Sequence, residues 1–438
     1  MDGGRRDGRQ DIGDCKTSPY WWDSVAPSSL PPPTLPTKVD VAVVGAGCTG
    51  LSAALALARA GRTVAVFDAG EPGQGATTRS TGVIGRTLKH SFSALVDEFG
   101  TAAACRLYGE VRAAFDFIID LIERERIDCH LVRRGRFMGA NSPRLYEAMA
   151  RDLELKRHHL GDEYAMVPRS DQHREIGSDL FHGGGVIPDH RLLHPGKYHQ
   201  GLLRLVEAAG AQILPRTRVD GIRRDRDAFE LRTPAGRLLS REVIVATNGY
   251  TGRGTPYLQR RVIPIDAYMV ATEPLPPGLL RALLPNGRCF HDYTINADYG
   301  SPSPHEPRLL FGGLTGRSPG DPPTVASRLR GRMVRVFPQL AGTRLSHVWT
   351  GSCAATFDLF PHIGRYEGIY YAMGYCFGSG LPLGTWLGRK LARRVLGVGD
   401  AQTAFDDLPF STRFFYRGRP WFLPLVMRYY EWVDRRGF

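Results

Sequence analysis

Six residues, Gly45-Ala46-Gly47-Cys48-Thr49-Gly50, have the spacing G-x-G-x-x-G, and the chemistry open to them is capture of a diphosphate. Gly45 permits a tight turn, Gly47 lets backbone approach the anion, and Gly50 lets a helix pack closely on the preceding strand. The unpaired N–H groups opening that helix then face the negative charge. A hexapeptide alone is weak evidence, so the elements around it decide. Val39 to Val44 is a β-branched apolar run of strand length, Leu51 to Ala60 is dense in alanine and leucine and ends at Gly61, and Val64-Ala65-Val66-Phe67 is a second buried strand. Strand, glycine turn, helix and strand make a βαβ unit, whose setting is a parallel sheet. Asp68 closes the second strand, where a carboxylate accepts hydrogen bonds from ribose hydroxyls, with Ala69 beside it.

The segment after Asp68 separates the dinucleotides. Gly70-Glu71-Pro72-Gly73-Gln74-Gly75-Ala76-Thr77-Thr78-Arg79-Ser80-Thr81-Gly82 is a loop of small and hydroxyl residues with one arginine. It is long enough to wrap phosphates and reach a flavin ring, which an NAD domain does not require, so FAD is the expected cofactor.

With these residues in place, the chain resembles the D-amino-acid-oxidase-like (DAO) superfamily of FAD oxidoreductases, in its gamma-glutamylputrescine-oxidase-like branch. Tyr20-Trp21-Trp22-Asp23-Ser24 is similar to that branch's aromatic lead-in, Val44 to Leu51 to its fingerprint, and Gly75 to Gly82 to its G-A-S-G-R-N-G-G loop. Ala246 to Thr251, Trp349-Thr350-Gly351, Thr356-Phe357-Asp358, Pro361 to Gly364 and Gly374-Tyr375 through Gly380 resemble its later flavin-binding segments. The resemblance implies an α/β fold: a Rossmann-type FAD/NAD(P)-binding domain, glutathione-reductase-like and of DAO type, with an inserted α+β substrate domain on a mostly antiparallel sheet. It also implies cofactor contacts at Val219, Ala246 and Thr247, and at Gly378, Ser379, Gly380 and Leu381, where a helix starting near Pro382 would aim its positive end at the flavin.

Departures from the family carry expectations of their own. Members that tether flavin covalently use a histidine in the first loop or a cysteine seven residues before the aspartate of T-x-D; Arg79 and Gly351 occupy those places, and Cys353 is two residues off. A non-covalent FAD follows. The lysine that sarcosine-oxidase-like members place before a G-G turn aligns with Leu310, so the electron acceptor, O2 or a redox partner, stays open.

Hydride transfer from a C–H beside an amine nitrogen needs a neutral nitrogen, a dry pocket and geometry more than a strong base. The substrate expected is a small amine or amino acid, oxidised to an imine that can hydrolyse to a carbonyl. A 2-hydroxy-acid dehydrogenase and a tRNA-modifying flavoprotein remain alternatives. Candidate catalytic residues are Arg79, as a flavin-adjacent cation, with His90, Tyr268 and Tyr375; Arg86, Lys89, His291, Tyr293 and Trp349 are further candidates on the substrate side. Arg86, Lys89 and His90 would suit a carboxylate.

At 438 residues and 42% hydrophobic the chain is long enough for two lobes. The expected division is a polar, proline-rich lead-in over 1–36, a discontinuous FAD-binding domain over 37–115, 190–260 and 345–400, a substrate domain over 116–189 and 261–344, and an aromatic extension over 401–438. That extension is expected to pack on its own domain or across a dimer rather than on a membrane. Continuous helical periodicity is read from Ser91 to about Ile127. The net charge of +13 comes mostly from scattered arginines without a nucleic-acid motif, so no nucleic-acid partner is expected. Seven dispersed cysteines without C-x-x-C predict neither a disulfide framework nor a metal site. The start is polar, and no run of 18 apolar residues occurs. A cytoplasmic protein with no membrane association is the expectation.

Overall fold

The computed structural model describes residues 15–27, 29, 34–316, 320–375 and 379–436. Most of the proline-rich lead-in, with Cys376, Phe377 and Gly378, lies outside them.

Two eight-stranded sheets organise the chain. In the first, the strand Lys38–Val44 runs parallel to Val64–Phe67 on one side and to Gly236–Val245 on the other. Gln212–Leu214 and Ile369–Met373 extend the parallel set. Where the three central strands lie side by side, at Val41–Val44, Val64–Phe67 and Val243–Val245, they are apolar, as a parallel sheet covered by helices requires. The helix Gly380–Leu396 lies against Cys48–Arg59 so closely that a Cβ on Gly388 would sit 2.2 Å from the Thr49 carbonyl oxygen. Gly388 brings the late chain to the opening helix.

In the second sheet the order is Leu345–Ala355, Ile263–Thr272, Leu309–Gly313, Tyr299–Pro302, Cys289–Asp292, Arg136–Gly139, Gly184–Ile187 and Ala165–Val167. It is antiparallel except where Cys289–Asp292 runs parallel to Arg136–Gly139. The expected Rossmann-type layer and mostly antiparallel second sheet are both present. Leu345–Ala355 pairs within the second sheet, so the chain returns to the nucleotide layer after this strand rather than at residue 345. The helical pattern from Ser91 divides into Phe92–Phe99 and Thr101–Arg124, because Gly100 at φ +80° turns the chain.

The C-terminal extension folds back on its own chain. Tyr416 is fully buried and its hydroxyl donates to the Val262 carbonyl at 2.7 Å. The helix Leu423–Arg436 places the Asp434 carboxylate to accept from Ile295 N and Asn296 N. Among the described residues no helix is long and apolar enough to cross a membrane.

Candidate active site

A cavity of about 1400 Å³ runs from the opening glycine turn to the second sheet. Its first end is made of backbone. Gly45 has φ +109°, and a Cβ there would lie 2.8 Å from the Ala246 carbonyl oxygen. A Cβ on Gly50 would lie 1.8 Å from the Gly45 carbonyl oxygen, so only glycine lets the helix start this close to the strand. The helix Cys48–Arg59 has no side-chain cap at Gly47, and Cys48 N donates to Thr77 Oγ1 at 3.1 Å. The rest of the first turn is free to meet an anion. Asp68 accepts from Ala46 N at 2.9 Å and Gly70 N at 3.0 Å, tying both glycine loops to the strand end. Burial raises its carboxyl pKa, and these two N–H groups oppose that shift. Open glycine backbone, an uncapped helix and a carboxylate at the end of the second strand, all on one cavity wall, fit a dinucleotide.

Gly75, Ala76, Thr77, Arg79 and Thr81 continue the wall, as do Gly47, Cys48, Thr49 and Ala69. Arg79 ends a short helix, donating from Nε to Gln74 O and from a terminal nitrogen to Thr350 O, with its guanidinium over Trp22. Trp22 Nε1 donates to Thr78 Oγ1 and Trp21 Nε1 to the Ser80 carbonyl, so the aromatic lead-in clamps this loop from outside. Thr78 donates to the Gly73 carbonyl, and Gly82, at φ +73°, lies against Leu193 backbone; both shape the loop instead of lining the cavity.

Val219, Ala246, Thr247, Gly351, Gly380 and Leu381 also line the cavity. Gly351 meets Arg79: a Cβ there would lie 2.9 Å from Arg79 Cβ. Cys353 is disulfide-bonded, which the dispersed cysteines did not predict. The Ser379 hydroxyl accepts from Thr87 N and donates to Thr87 O, both at 2.8 Å, so it staples two segments. Gly378 lies outside the described residues.

The candidate catalytic residues divide. Arg79 and His90 reach the cavity. His90 Nε2 donates to the Asp358 carbonyl at 2.7 Å and its ring stacks on Phe360, which fixes it as a wall. Tyr375 also touches the cavity, but its hydroxyl pairs with Thr49 Oγ1 at 2.5 Å, bracing the opening helix, and burial raises its pKa. Tyr268 points away. Along its strand Ala267 and Met269 line the cavity, and strand alternation turns Tyr268 into the core with Val270 and Phe311. Arg86 pairs with Asp162 and Asp189, and Trp349 donates to the Arg79 carbonyl; neither lines the cavity.

At the far end Lys89, Arg136, His291, Asp292 and Tyr293 converge. Arg136 and Asp292 escaped the sequence reading, because no local spacing links them to the glycine turn. Burial and the nearby Arg136 and Lys89 push the His291 pKa down to about 3, keeping the ring neutral. Burial and Asp298 push Asp292 up to about 6, so this carboxyl changes charge near neutrality.

The fold and this cavity define a two-domain flavoprotein oxidoreductase. The family model of DAO, described as FAD dependent oxidoreductase, matches residues 40–394, and the chain belongs to that family. It is 30% identical over 403 residues to gamma-glutamylputrescine oxidoreductase of Escherichia coli (strain K12), covering 91% of this chain and 93% of that protein. It is 28% identical over 425 residues to the probable oxidoreductase OrdL of Haemophilus influenzae, covering 95% and 97%. Among solved structures, glycine oxidase from Geobacillus kaustophilus superposes with a TM-score of 0.71 at 23% identity, over 86% of this chain and 99% of that one. The protein is thus an FAD-dependent oxidoreductase related to amine and amino-acid oxidases.

Proposed function

We propose that this enzyme removes a hydride from a C–H next to the nitrogen of a small amine or amino acid, giving an imine, with its FAD held non-covalently. The observation that carries the reading is the continuity of the cavity: one space joins the diphosphate cradle to a chamber walled by Met138, Met269 and Phe290 as well as by charged groups. FAD, when bound, supplies the hydride acceptor.

The chain's own residues hold the substrate and set its protonation. Lys89 and Arg136 line the chamber, and positive charge disfavours an ammonium, leaving a bound amine with the lone pair that oxidation needs. Asp292, titrating at about 6, is a wall carboxyl able to take up a proton near neutrality. Arg79 and Gly351 at the tether positions, and the disulfide on Cys353, support a dissociable flavin.

Anaerobic mixing of the yellow holoenzyme with panels of amines, amino acids and 2-hydroxy acids tests this. Bleaching by nitrogen compounds alone is expected; bleaching only by hydroxy acids overturns the reading. Acid precipitation should release the colour into the supernatant, and a yellow pellet would contradict the non-covalent state. An oxygen electrode distinguishes O2 from a redox partner as acceptor.

A further inference from the structure

The C-terminal extension packs on its own domain with one face only. Its inner side is anchored: Tyr416 is fully buried, Met427 is buried against Gly316, and Asp434 holds the Ile295 and Asn296 amides while lining the cavity. The outer side has no such cover. Six of the eleven large apolar side chains exposed among the described residues lie between Phe414 and Trp432. Phe414 is 92% exposed, and Trp421, Leu425 and Tyr429 are 59% to 64% exposed. Single exposed apolar residues are ordinary, but a concentration of them marks a surface that meets something.

Their spacing gives that surface a shape. Leu425, Tyr429 and Trp432 follow one another at steps of four and three residues in the helix Leu423–Arg436, so they form a stripe opposite Met427 and Asp434. Tyr429 stacks on Trp432 with ring centroids 6.0 Å apart. Before the helix, Phe414, Phe415 and Trp421 make a chain of edge contacts at 5.4 and 5.9 Å. The charges interleaved with these rings have one sign. Arg413, Arg417, Arg419 and Arg428 are exposed, whereas Glu431 is half-buried and Asp434 is turned inward.

Positive charge around an aromatic stripe complements an anionic bilayer. Tryptophan and tyrosine settle at the level of the headgroups, leucine reaches the acyl boundary, and arginines meet lipid phosphates. A second copy of the chain fits poorly, because a two-fold contact sets the four arginines against their own kind. A nucleic-acid strand follows a groove, and a helix stripe is convex.

We propose that this stripe docks the enzyme on the surface of an anionic lipid bilayer, as a peripheral and not a spanning protein. The helix lies in the plane of the headgroups with its Asp434 side toward the cavity. Docking does not depend on which substrate the enzyme oxidises.

The test co-sediments the FAD-loaded protein with vesicles of phosphatidylcholine alone and of phosphatidylcholine mixed equally with phosphatidylglycerol. The protein should pellet with the mixed vesicles and stay in solution with the neutral ones, and high salt should weaken the binding. Leu425→Asp, which puts a carboxylate in the stripe, should weaken binding to the mixed vesicles by roughly tenfold or more while the protein stays yellow. Arg417→Gln with Arg419→Gln leaves the helix untouched, should also weaken binding by roughly tenfold, and serves if Leu425→Asp does not fold. Failure to pellet with the mixed vesicles overturns docking, as does binding indifferent to both variants or equal on the two kinds of vesicle. Sedimentation velocity and a gel shift with single-stranded RNA read the other occupants. A dimer that Leu425→Asp dissociates, or a shift of the RNA, without vesicle binding assigns the face elsewhere and overturns docking on lipid.

Discussion

The two ends of the cavity are built on opposite principles. At the cradle the wall is backbone: Gly45, Gly47 and Gly50 are defined by what a side chain would strike, and a diphosphate placed there would meet amides. At the chamber the wall is made of side chains brought from remote strands, loops and a helix, Lys89, Arg136, His291 and Asp434 among them. Backbone recognition is compact in sequence and intolerant of added bulk. A wall of side chains is dispersed in sequence, and its members can be altered one at a time.

The largest effect is expected where backbone meets backbone. Gly50→Ala should leave the protein colourless and destabilised by roughly 3 kcal/mol or more, because the new methyl runs into the Gly45 carbonyl. Gly61→Ala, at positive φ but with open space around it, should cost only about 1 kcal/mol and stay yellow. Chemical denaturation and the visible spectrum read both, and a yellow, stable Gly50→Ala protein would break the contrast.

The chamber should show the next effect, with the opposite sign. Asp292, pushed to about 6 by burial, is more acidic in the unfolded chain. Its contribution is therefore most favourable below pH 4 and is lost as pH rises through 6. Asp292→Asn removes that loss, so it should stabilise the protein by up to about 3 kcal/mol at pH 7.5 relative to its effect at pH 4. A stability difference flat across that window would place the carboxyl in water.

Asp68→Ala should weaken FAD binding to the apoprotein by about 30-fold with the fold retained, read by quenching of FAD fluorescence on reconstitution. Unchanged affinity would remove Asp68 from the sugar. The smallest effect is expected at Tyr268. Its side chain faces the core, so Tyr268→Phe should keep kcat/KM within about twofold; a loss of a hundredfold would put Tyr268 at the substrate after all.

Legibility followed the same divide. The strand, glycine turn, helix, strand and Asp68 could be read in order because their contacts are local, and the flavin loop could be read from its hydroxyl and glycine content. Gly100 was visible in the sequence but lay inside a periodic pattern, and only its positive φ shows that it ends one helix and starts another. Tyr268 and Met269 are adjacent in sequence, and nothing local says which of them faces the ligand. Strand register decides it.

By itself the sequence determined a diphosphate-binding βαβ unit, an FAD-length loop and membership of a superfamily, since all three depend on short-range sterics and residue type. The tertiary structure alone decided which polar side chains share the chamber. Arg136 and His291 meet only because two strands distant in the chain pair in parallel, and Arg86 is withdrawn only because Asp162 and Asp189 reach it first. Charge is long-ranged, and its balance at a site is a sum over neighbours that the linear order does not reveal.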